Sequence, residues 1–345
     1  MKRALITGVN GQDGSYLTEL LLEKGYQVHG IVRRTSSFSR ERIDPVYRQQ
    51  KETSGELLLH YGDMGDEKNL RKLVETVRPD EVYHLASQSH VGISFDMPEY
   101  STDVNAMGTL RILEAINDYC PESRFYQAST SELFGDAEET PMTESTRFNP
   151  NSPYAVAKLY AYWMTVNYRR TYGMYACNGI LFNHESPRRG ENFVTRKITQ
   201  TVARIAHGQQ EILSIGNMSA LRDWGYAPDY VRAMWLMLQQ KQAEDFVIAT
   251  GETHSVREFI EKAFSFINVD LKWEGDGVDE CGVDASSGKV RVKVDSRYYR
   301  PIDVNRVQGN ASKAKRVLGW EPQVRFDQLV KIMMEADLEV ARKSQ

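Results

Sequence analysis

A tyrosine and a lysine stand four positions apart in the chain, at Tyr154 and Lys158. On a helix, this spacing places the two side chains on the same face. A tyrosine phenol ordinarily titrates near pKa ~10, and a neighbouring ammonium group favours its phenolate form. Tyr154 could therefore take the proton of an alcohol while a hydride leaves the same carbon. Ordinary helices often contain this spacing by chance, so its meaning depends on the surrounding sequence.

A second set of polar side chains lies upstream, in the segment Ser129-Thr130-Ser131-Glu132. The hydroxyl of Thr130 could hold a substrate oxygen beside Tyr154. Glu132 is more than a simple alcohol dehydrogenase needs, and a carboxylate there could remove a proton from the carbon next to a newly formed ketone. The alternative for Glu132 is an ordinary surface glutamate.

Three glycines follow the first apolar segment with the spacing G-x-x-G-x-x-G. Glycine allows the tight turn and the close backbone approach that a pyrophosphate requires. The helix expected after the loop offers free N–H groups to phosphate. Because the loop lies between a predicted strand and a predicted helix, we interpret it as a dinucleotide-binding loop rather than a structural turn. The loop would contribute Gly8, Val9, Asn10, Gly11, Gln12, Asp13 and Gly14 to the cofactor site.

The residues after the second predicted strand indicate which dinucleotide is bound. Enzymes of this topology that use NAD usually carry an acidic residue there, whereas this chain has Arg33, Arg34, Thr35 and Ser36. A guanidinium group matches the 2′-phosphate of NADP in charge and geometry. We therefore predict NADP; the alternative is a pair of solvated arginines. Further contacts are expected from Asp63, at the adenine edge, and from Leu85, Ala86, Ser87, Gln88 and Ser89, which should line the cofactor.

Strand-like and helix-like segments alternate through the first half of the chain. Strands are predicted at 4–7, 27–32, 57–61, 81–85, 124–129 and 175–181, and helices at 15–24, 67–77, 102–118 and 152–171. Such alternation is typical of a parallel sheet with helical crossovers. We predict an α/β fold: a Rossmann-like, doubly wound parallel sheet over residues 1–182 and a smaller C-terminal substrate lobe over 183–345. In that lobe we expect helices at 194–207, 230–239 and 256–266, and a surface loop at 275–289.

The composition of the chain argues against several classes of function. The 345 residues carry a net charge of −4, which does not favour general nucleic-acid binding. Cys120, Cys177 and Cys281 are widely spaced, which favours a reduced, cytoplasmic protein without a metal site. No apolar segment approaches the ~20 residues of a membrane span, so we expect no membrane association.

Several segments together resemble the extended short-chain dehydrogenase/reductases and, among these, the GDP-mannose 4,6-dehydratase family. The resemblance extends from residue 4 to about residue 322 and rests on segments 7–14, 32–36, 129–135, 152–158, 181–187 and 299–301. It implies that Thr130, Glu132 and Tyr154 are catalytic and that Lys158 supports Tyr154. The segment 275–292 matches the family pattern least.

The same resemblance implies which residues bind the ligands. In addition to the residues given above, NADP would contact Met64, Tyr100, Lys158, His184 and Arg189. The GDP-sugar would contact Asn183, Lys197, Arg222 and Arg300, although any one of the arginines could instead form a structural salt bridge. Since His184 has no metal-like partner nearby in the sequence, we expect a pocket histidine rather than a metal ligand.

The reaction that the resemblance implies is an internal redox cycle on GDP-mannose. Tyr154 deprotonates the C4 hydroxyl while NADP takes the C4 hydride, Glu132 removes the C5 proton, and water leaves from C6. The hydride then returns to C6 and a proton to C5. The product is GDP-4-keto-6-deoxy-mannose. The family also implies a homotetramer in which the loop formed by Arg34 and residues 35–42 reaches the cofactor site of a neighbouring subunit. Rival interpretations are a sugar-nucleotide epimerase or reductase, which needs no base at Glu132, and a non-catalytic NADP-sensing regulator.

Overall fold

A computed structural model describes residues 1–35, 40–52, 55–298 and 306–343. Ser36 and Arg300, both assigned to binding sites from the sequence, lie outside these described residues. The strands are β1 Arg3–Thr7, β2 Gln27–Val32, β3 Leu57–Tyr61, β4 Glu81–His84, β5 Arg124–Thr130, β6 Ala176–Leu181, β7 Asn183–Glu185, β8 Leu213–Ile215, β9 Leu221–Arg222, β10 Trp224–Tyr226, β11 Phe246–Ile248, β12 His254–Ser255, β13 Leu271–Glu274, β14 Cys281–Asp284 and β15 Val290–Val294. The α-helices are α1 Gln12–Glu23, α2 Asp44–Glu52, α3 Glu67–Val77, α4 Val91–Asp96, α5 Pro98–Thr102, α6 Gly108–Tyr119, α7 Pro153–Thr171, α8 Val194–Ala206, α9 Ala227–Leu238, α10 Val256–Ser265, α11 Ser312–Leu318 and α12 Phe326–Lys343.

The first of two compact units contains a seven-stranded sheet with the order β11-β6-β5-β4-β1-β2-β3. Each neighbouring pair of strands is parallel. From β1 the chain builds the sheet first toward β3 and then, from β4, toward the opposite edge. The carboxyl ends of β1 and β4 therefore form a topological switch point, the position where ligands bind in open α/β sheets. The predicted Rossmann-like, doubly wound parallel sheet is confirmed.

Alternating side chains along β1 explain why helices cover both faces of this sheet. Ala4 and Ile6 are fully buried in an apolar cluster that includes Leu17 and Leu21 of α1. Leu5 is fully buried in a second cluster, formed with residues of α3 and α6. A strand that is apolar on both faces must be covered on both, and the resulting rigid scaffold holds the loops at its carboxyl edge.

The chain passes between the two compact units more often than the sequence analysis assumed. The first unit comprises 1–182, 227–248 and 309–321, and the second comprises 183–226, 249–308 and 322–345. Segment 227–248 belongs to the first unit because β11 pairs with β6 and α9 packs against β5 and β6. Segment 309–321 joins it because α11 packs against β11 and α9. The single boundary drawn after residue 182 is thus the first of five crossings.

The second unit has its own apolar core. Helices α8, α10 and α12 pack against one another, and the core between them includes the contacting rings of Trp224, Phe259 and Phe326. A four-stranded sheet has the order β13-β14-β15-β8, in which the β15–β8 pair is parallel and the other pairs are antiparallel. Two short pairs, β7–β10 and β9–β12, complete the strands of this unit.

Two local predictions were wrong. The single helix expected at 102–118 is interrupted by a π-helical turn, Asp103–Met107, that separates α5 from α6. The surface loop expected at 275–289 contains β14. Gly282 is there to allow close packing rather than a turn, because a Cβ at this position would lie 3.1 Å from both the Trp273 and Val292 side chains.

Candidate active site

The glycine loop connects β1 to α1 and leaves little room for side chains. Gly8 has a φ of +71°, which favours glycine, and a Cβ there would lie 2.9 Å from the backbone of Ala86. A Cβ on Gly14 would lie 2.4 Å from the carbonyl oxygen of Gly8. The N–H of Gly11 donates to that same carbonyl at 2.9 Å, and α1 begins at Gln12. Bare backbone next to a helix N-terminus is a cradle that fits a pyrophosphate.

Thr7, the last residue of β1, holds the turn that follows β4. Its Oγ1 accepts hydrogen bonds from the N–H groups of Leu85, at 3.1 Å, and Ala86, at 3.0 Å. The hydroxyl proton of Thr7 is then left for Nδ1 of His84, 2.8 Å away. Burial, and secondly the charge of Lys158, lowers the pKa of His84 to about 3. The histidine is therefore neutral, which is the form that this hydrogen bond requires.

The helix α7 begins where its sequence supplies a cap. The Oγ of Ser152 accepts the N–H of Ala155 at 3.1 Å, and Pro153 occupies the first turn, where no N–H is needed. The N–H of Tyr154, which has no partner within the helix, donates to the Oγ of Ser94 at 3.2 Å. These bonds fix the start of α7 and thereby the position of Tyr154.

Lys158 is buried one helical turn after Tyr154. Only 3% of its surface is exposed, and its Nζ donates a hydrogen bond to the carbonyl oxygen of Ala128 at 3.0 Å. The same Nζ lies 6.0 Å from the centroid of the Tyr154 ring. Burial lowers the pKa of Lys158 to about 8. An ammonium at this place is a nearby positive charge that favours the phenolate form of Tyr154.

Thr130 and Glu132 lie at the carboxyl end of β5. Thr130 is the last residue of the strand and caps a 3₁₀ turn, Ser131–Leu133, by accepting the N–H of Glu132 on its Oγ1 at 3.2 Å. Ala128, which holds Lys158, is on the same strand two residues earlier. Since α7 packs against both β5 and this turn, the four residues predicted to be catalytic belong to one corner of the first unit.

Arg33 directly follows β2 and donates from Nη1 to the hydroxyl of Tyr100 on α5. Arg33, Arg34 and Thr35 are all exposed. Asp63 lies two residues after β3 and accepts a backbone N–H two residues further on, at 2.9 Å. The structure thus brings Arg33 and Tyr100, which are distant in sequence, together at the carboxyl edge of the sheet.

The segment 85–89 leaves β4 beside the glycine loop. Its residues are partly buried except for Ser89, which is exposed. The Oε1 atom of Gln88 is buried and accepts no hydrogen bond from any residue that the structure describes, which leaves an acceptor for a ligand. Met64 is buried, and its carbonyl accepts Nη1 of Arg111 at 2.8 Å.

In the second unit, Asn183 and His184 lie half-buried on β7. Nε of Arg189 lies 3.1 Å from Oε2 of the buried Glu185, and its guanidinium lies 3.7 Å from the centroid of the Phe193 ring. Arg189, which was assigned to the cofactor from the sequence, therefore forms an ion pair within the chain. Such a pair holds the guanidinium in one place without removing its remaining donors.

Lys197, on α8, is half-buried as a residue, but its terminal Nζ atom is buried. Its Nζ makes no hydrogen bond to the described part of the chain and lies 3.0 Å from the centroid of the Tyr298 ring. A buried ammonium without an acceptor is costly, so this position suits an anionic ligand. Arg222, at the end of β9, is half-buried and donates from Nη1 to the carbonyl of Leu221 at 3.0 Å.

Comparison with known proteins identifies this arrangement. The family model described as GDP-mannose 4,6 dehydratase matches residues 5–333. The chain belongs to the GDP-mannose 4,6-dehydratase family. It is 58% identical to a GDP-mannose 4,6 dehydratase of Drosophila melanogaster, over 99% of this chain and 88% of the relative. It is 57% identical to the Homo sapiens protein of the same name, over 98% of this chain and 92% of the relative.

Membership of the GDP-mannose 4,6-dehydratase family confirms the resemblance and the enzyme class that the sequence indicated. The fold agrees as well: a solved dTDP-glucose 4,6-dehydratase of Streptomyces venezuelae, DesIV, superimposes with a TM-score of 0.78 at 26% identity, over 96% of this chain and 95% of the other. Because the members of this family are enzymes, the family assignment argues against a non-catalytic NADP-sensing regulator.

Sequence reasoning missed several residues that support this site. His84, Asn105 and Tyr298 were not selected, although each contacts a predicted site residue or its loop. A histidine at the end of the apolar strand β4 was a usable signal, whereas Asn105 and Tyr298 become visible only from the fold. Within the described ranges, no group of three or more His, Cys, Asp or Glu side chains is arranged to hold a metal ion. No helix in the described part of the chain is long and apolar enough to cross a bilayer.

Proposed function

We propose that this enzyme converts GDP-D-mannose to GDP-4-keto-6-deoxy-D-mannose with a resident NADP. The observation that carries the proposal is the buried Lys158. Its bond to Ala128 ties the Tyr154 helix to the strand that ends at Thr130, which is followed directly by the turn that contains Glu132. The names of the relatives support the choice of substrate.

Each of the four side chains has a distinct role in the proposed reaction. Thr130 holds the C4 hydroxyl, Tyr154 takes its proton, and the Lys158 ammonium stabilises the phenolate. A nicotinamide held at this site would supply the acceptor for the C4 hydride and its donor to C6. Glu132 removes the C5 proton, which the 4-ketone has made acidic, so that water can leave from C6. A proton returns to C5 when the hydride reaches C6. Neither an epimerase nor a reductase requires this last base.

Binding of the GDP-sugar is assigned to the second unit. Lys197 supplies a buried positive charge for the diphosphate, and Arg222 and Arg300 supply further charge. Asn183 is the polar neighbour on β7. His184 and Arg189, with the first-unit residues named above, are assigned to the cofactor.

The direct test of the proposed activity uses the purified enzyme and GDP-mannose without added cofactor. We expect a 4-keto-6-deoxy sugar nucleotide, identified by mass spectrometry and NMR. UDP-glucose and dTDP-glucose serve as matched substrates and should give no product. An epimer of the starting sugar, or a requirement for stoichiometric reduced cofactor, would contradict the proposal.

The choice of NADP rests on Arg33. The solved dTDP-glucose dehydratase of Streptomyces venezuelae was determined with NAD, so the fold by itself does not select NADP. Here an exposed guanidinium, positioned by Tyr100, follows β2, and this favours a 2′-phosphate. Arg33→Asp should weaken NADP binding far more than NAD binding, because a carboxylate repels the 2′-phosphate. Equal losses for both cofactors in a binding titration would remove Arg33 from this role.

The proposed assembly is a homotetramer in the cytoplasm. Besides the arginine-rich segment 35–42, α7 exposes an apolar face: Val156 is 55% exposed, Tyr160 39% and Trp163 51%. These residues lie three to four positions apart, on one side of the helix, and a second copy of the chain would cover them. We expect Trp163→Glu to yield smaller particles in sedimentation, while Val340→Glu, on α12, leaves the size unchanged. If Trp163→Glu and Arg34→Ala both sediment as the wild type does, neither the exposed face of α7 nor the arginine-rich segment joins subunits.

A further inference from the structure

Asn105 is a buried residue of the π-helical turn, 1% exposed, and its carboxamide pairs with the loop after β4. Its Oδ1 accepts the backbone N–H of Gln88 at 3.0 Å and the hydroxyl of Ser87 at 2.8 Å. Its Nδ2 donates to the carbonyl of Gln88 at 3.0 Å. The Asn105 side chain therefore pairs with both the backbone N–H and the backbone carbonyl of Gln88, as a neighbouring β-strand would.

The wide turn gives Asn105 its orientation and is itself held in place. The N–H of Gly108 donates to the carbonyl of Asp103, which closes the turn. The hydroxyl of Thr109 donates to the carbonyl of Asn105 at 2.9 Å. A Cβ on Gly108 would lie 2.8 Å from the Cβ of Met64. The turn can therefore lie this close to the loop that follows β3 only because residue 108 is glycine. π-turns of this kind often occur at functional sites.

The loop after β4 is thus held from two sides. On the sheet side, Thr7 binds the N–H groups of Leu85 and Ala86. Beyond Ala86 the chain has left the sheet, and Asn105 binds the next two residues. Neither holding group was expected from the sequence to contact the cofactor. Their effect is to fix the backbone that would line it.

We propose that Asn105 is a positioning residue for the nicotinamide cofactor. It sets the path of Ser87 and Gln88 and thereby the affinity of the site; this rests on the proposed role of residues 85–89 in lining the cofactor. A residue with only a packing role would, when replaced, reduce stability without a separate effect on cofactor binding. The two possibilities therefore differ in a measurable quantity.

The test compares Asn105→Asp with Thr109→Val in protein stripped of cofactor. The aspartate keeps the volume but loses the donor to Gln88 and places a carboxylate against its carbonyl. Thr109→Val removes a bond within the same turn and leaves the carboxamide intact. By calorimetric titration, we expect the Kd for NADP to rise about tenfold in Asn105→Asp and less than about threefold in Thr109→Val. Thermal unfolding without cofactor shows whether the two variants lose similar stability.

The possible results overturn the role of Asn105 or separate it from the proposed cofactor site. Wild-type affinity in Asn105→Asp, or an equal loss of affinity in Thr109→Val, overturns the role of Asn105. If Asn105→Asp does not fold, Asn105→Ser takes its place, because serine is uncharged and smaller than asparagine. This variant must then weaken NADP binding for the proposal to stand. Wild-type protein that binds neither NADP nor NAD would instead contradict the proposed cofactor site itself.

Discussion

At the scale of single residues, Lys158 shows how the fold prepares the proposed chemistry. A lysine placed away from water loses part of its preference for the charged form, and its pKa falls from 10.5 to about 8. The carbonyl of Ala128 retains the ammonium at a fixed place. At neutral pH the group is still protonated, so burial of this charge lowers the stability of the folded enzyme. The charge lies near the ring of Tyr154.

The lowered pKa of Lys158 makes a signed prediction for stability. Between pH 8 and pH 10.5 the folded, cofactor-free enzyme releases the Lys158 proton while the unfolded chain still holds it. The free energy of unfolding of the wild type, relative to Lys158→Met, should therefore rise by up to about 3 kcal/mol across that window and stay level below pH 8. Denaturant unfolding of both proteins at a series of pH values measures the difference. If the difference in free energy of unfolding between the two proteins does not change with pH, burial does not lower the pKa of Lys158.

The proposed role of Glu132 is what separates a dehydratase from a simple dehydrogenase. Glu132→Gln keeps the shape of the side chain but cannot accept a proton, so C4 oxidation should proceed while elimination slows by about 10²–10⁴-fold. Reduced nicotinamide should then accumulate as a slow absorbance signal after GDP-mannose is added, and solvent deuterium should no longer enter C5. Tyr154→Phe, the matched control, should give no such signal. Normal turnover in Glu132→Gln would require another residue as the C5 base.

Much of the proposed site could be predicted from residue types and spacing, but its supports could not. Tyr154 and Lys158 lie on one helix, so their spacing was informative. Asn105 and Tyr298 contact residues that are separate from them in sequence, Gln88 and Lys197. Periodicity carries no information about such pairs, because only the folded sheet and helices bring them together.

At the scale of elements, the turn between β1 and α1 depends on backbone contacts that only glycine allows. A Cβ on Gly14 would meet the Gly8 oxygen at 2.4 Å and Val9 Cα at 2.7 Å. These are backbone atoms, so they cannot move aside as a flexible side chain would. Gly25, at the other end of α1, has a φ of +76° but open space around it.

This contrast predicts different results for two alanine variants. Gly14→Ala should weaken NADP binding more than about tenfold and lower stability, since the helix must shift away from the loop. Gly25→Ala should cost about 1 kcal/mol in backbone strain and leave cofactor binding unchanged. Binding titrations and denaturant unfolding on both variants distinguish the effects. Unaltered NADP affinity in Gly14→Ala would contradict the assigned role of the loop.

The elements that sequence patterns failed to predict have identifiable physical causes. The segment 102–118 is helical in composition, and nothing in its periodicity marks the wide turn that Asn105 and Gly108 form. The segment 275–289 is rich in Gly, Asp and Ser, which suggested a loop, but its Gly282 allows tight packing against Trp273. A glycine is equally compatible with a turn and with close packing of neighbouring atoms, and the sequence alone does not distinguish the two.

At the scale of the whole molecule, the two compact units divide the proposed work. The first holds the glycine loop and the four proposed catalytic residues, and the second holds Lys197 and the other positions assigned to the GDP-sugar. The family assignment covers both, since the family model extends over residues 5–333. The repeated crossings between units could not be predicted from local patterns, because they depend on β11 pairing with β6.

The central claim is that one hydride leaves C4 and returns to C6 of the same sugar without exchange. The most direct test uses GDP-mannose labelled with deuterium at C4, incubated with the purified enzyme in ordinary water and without added cofactor. NMR and mass spectrometry then locate the label. We predict that the 4-keto-6-deoxy product carries the deuterium at C6. A product that has lost the deuterium to water, or a reaction that transfers it to added free cofactor, would contradict the internal redox cycle.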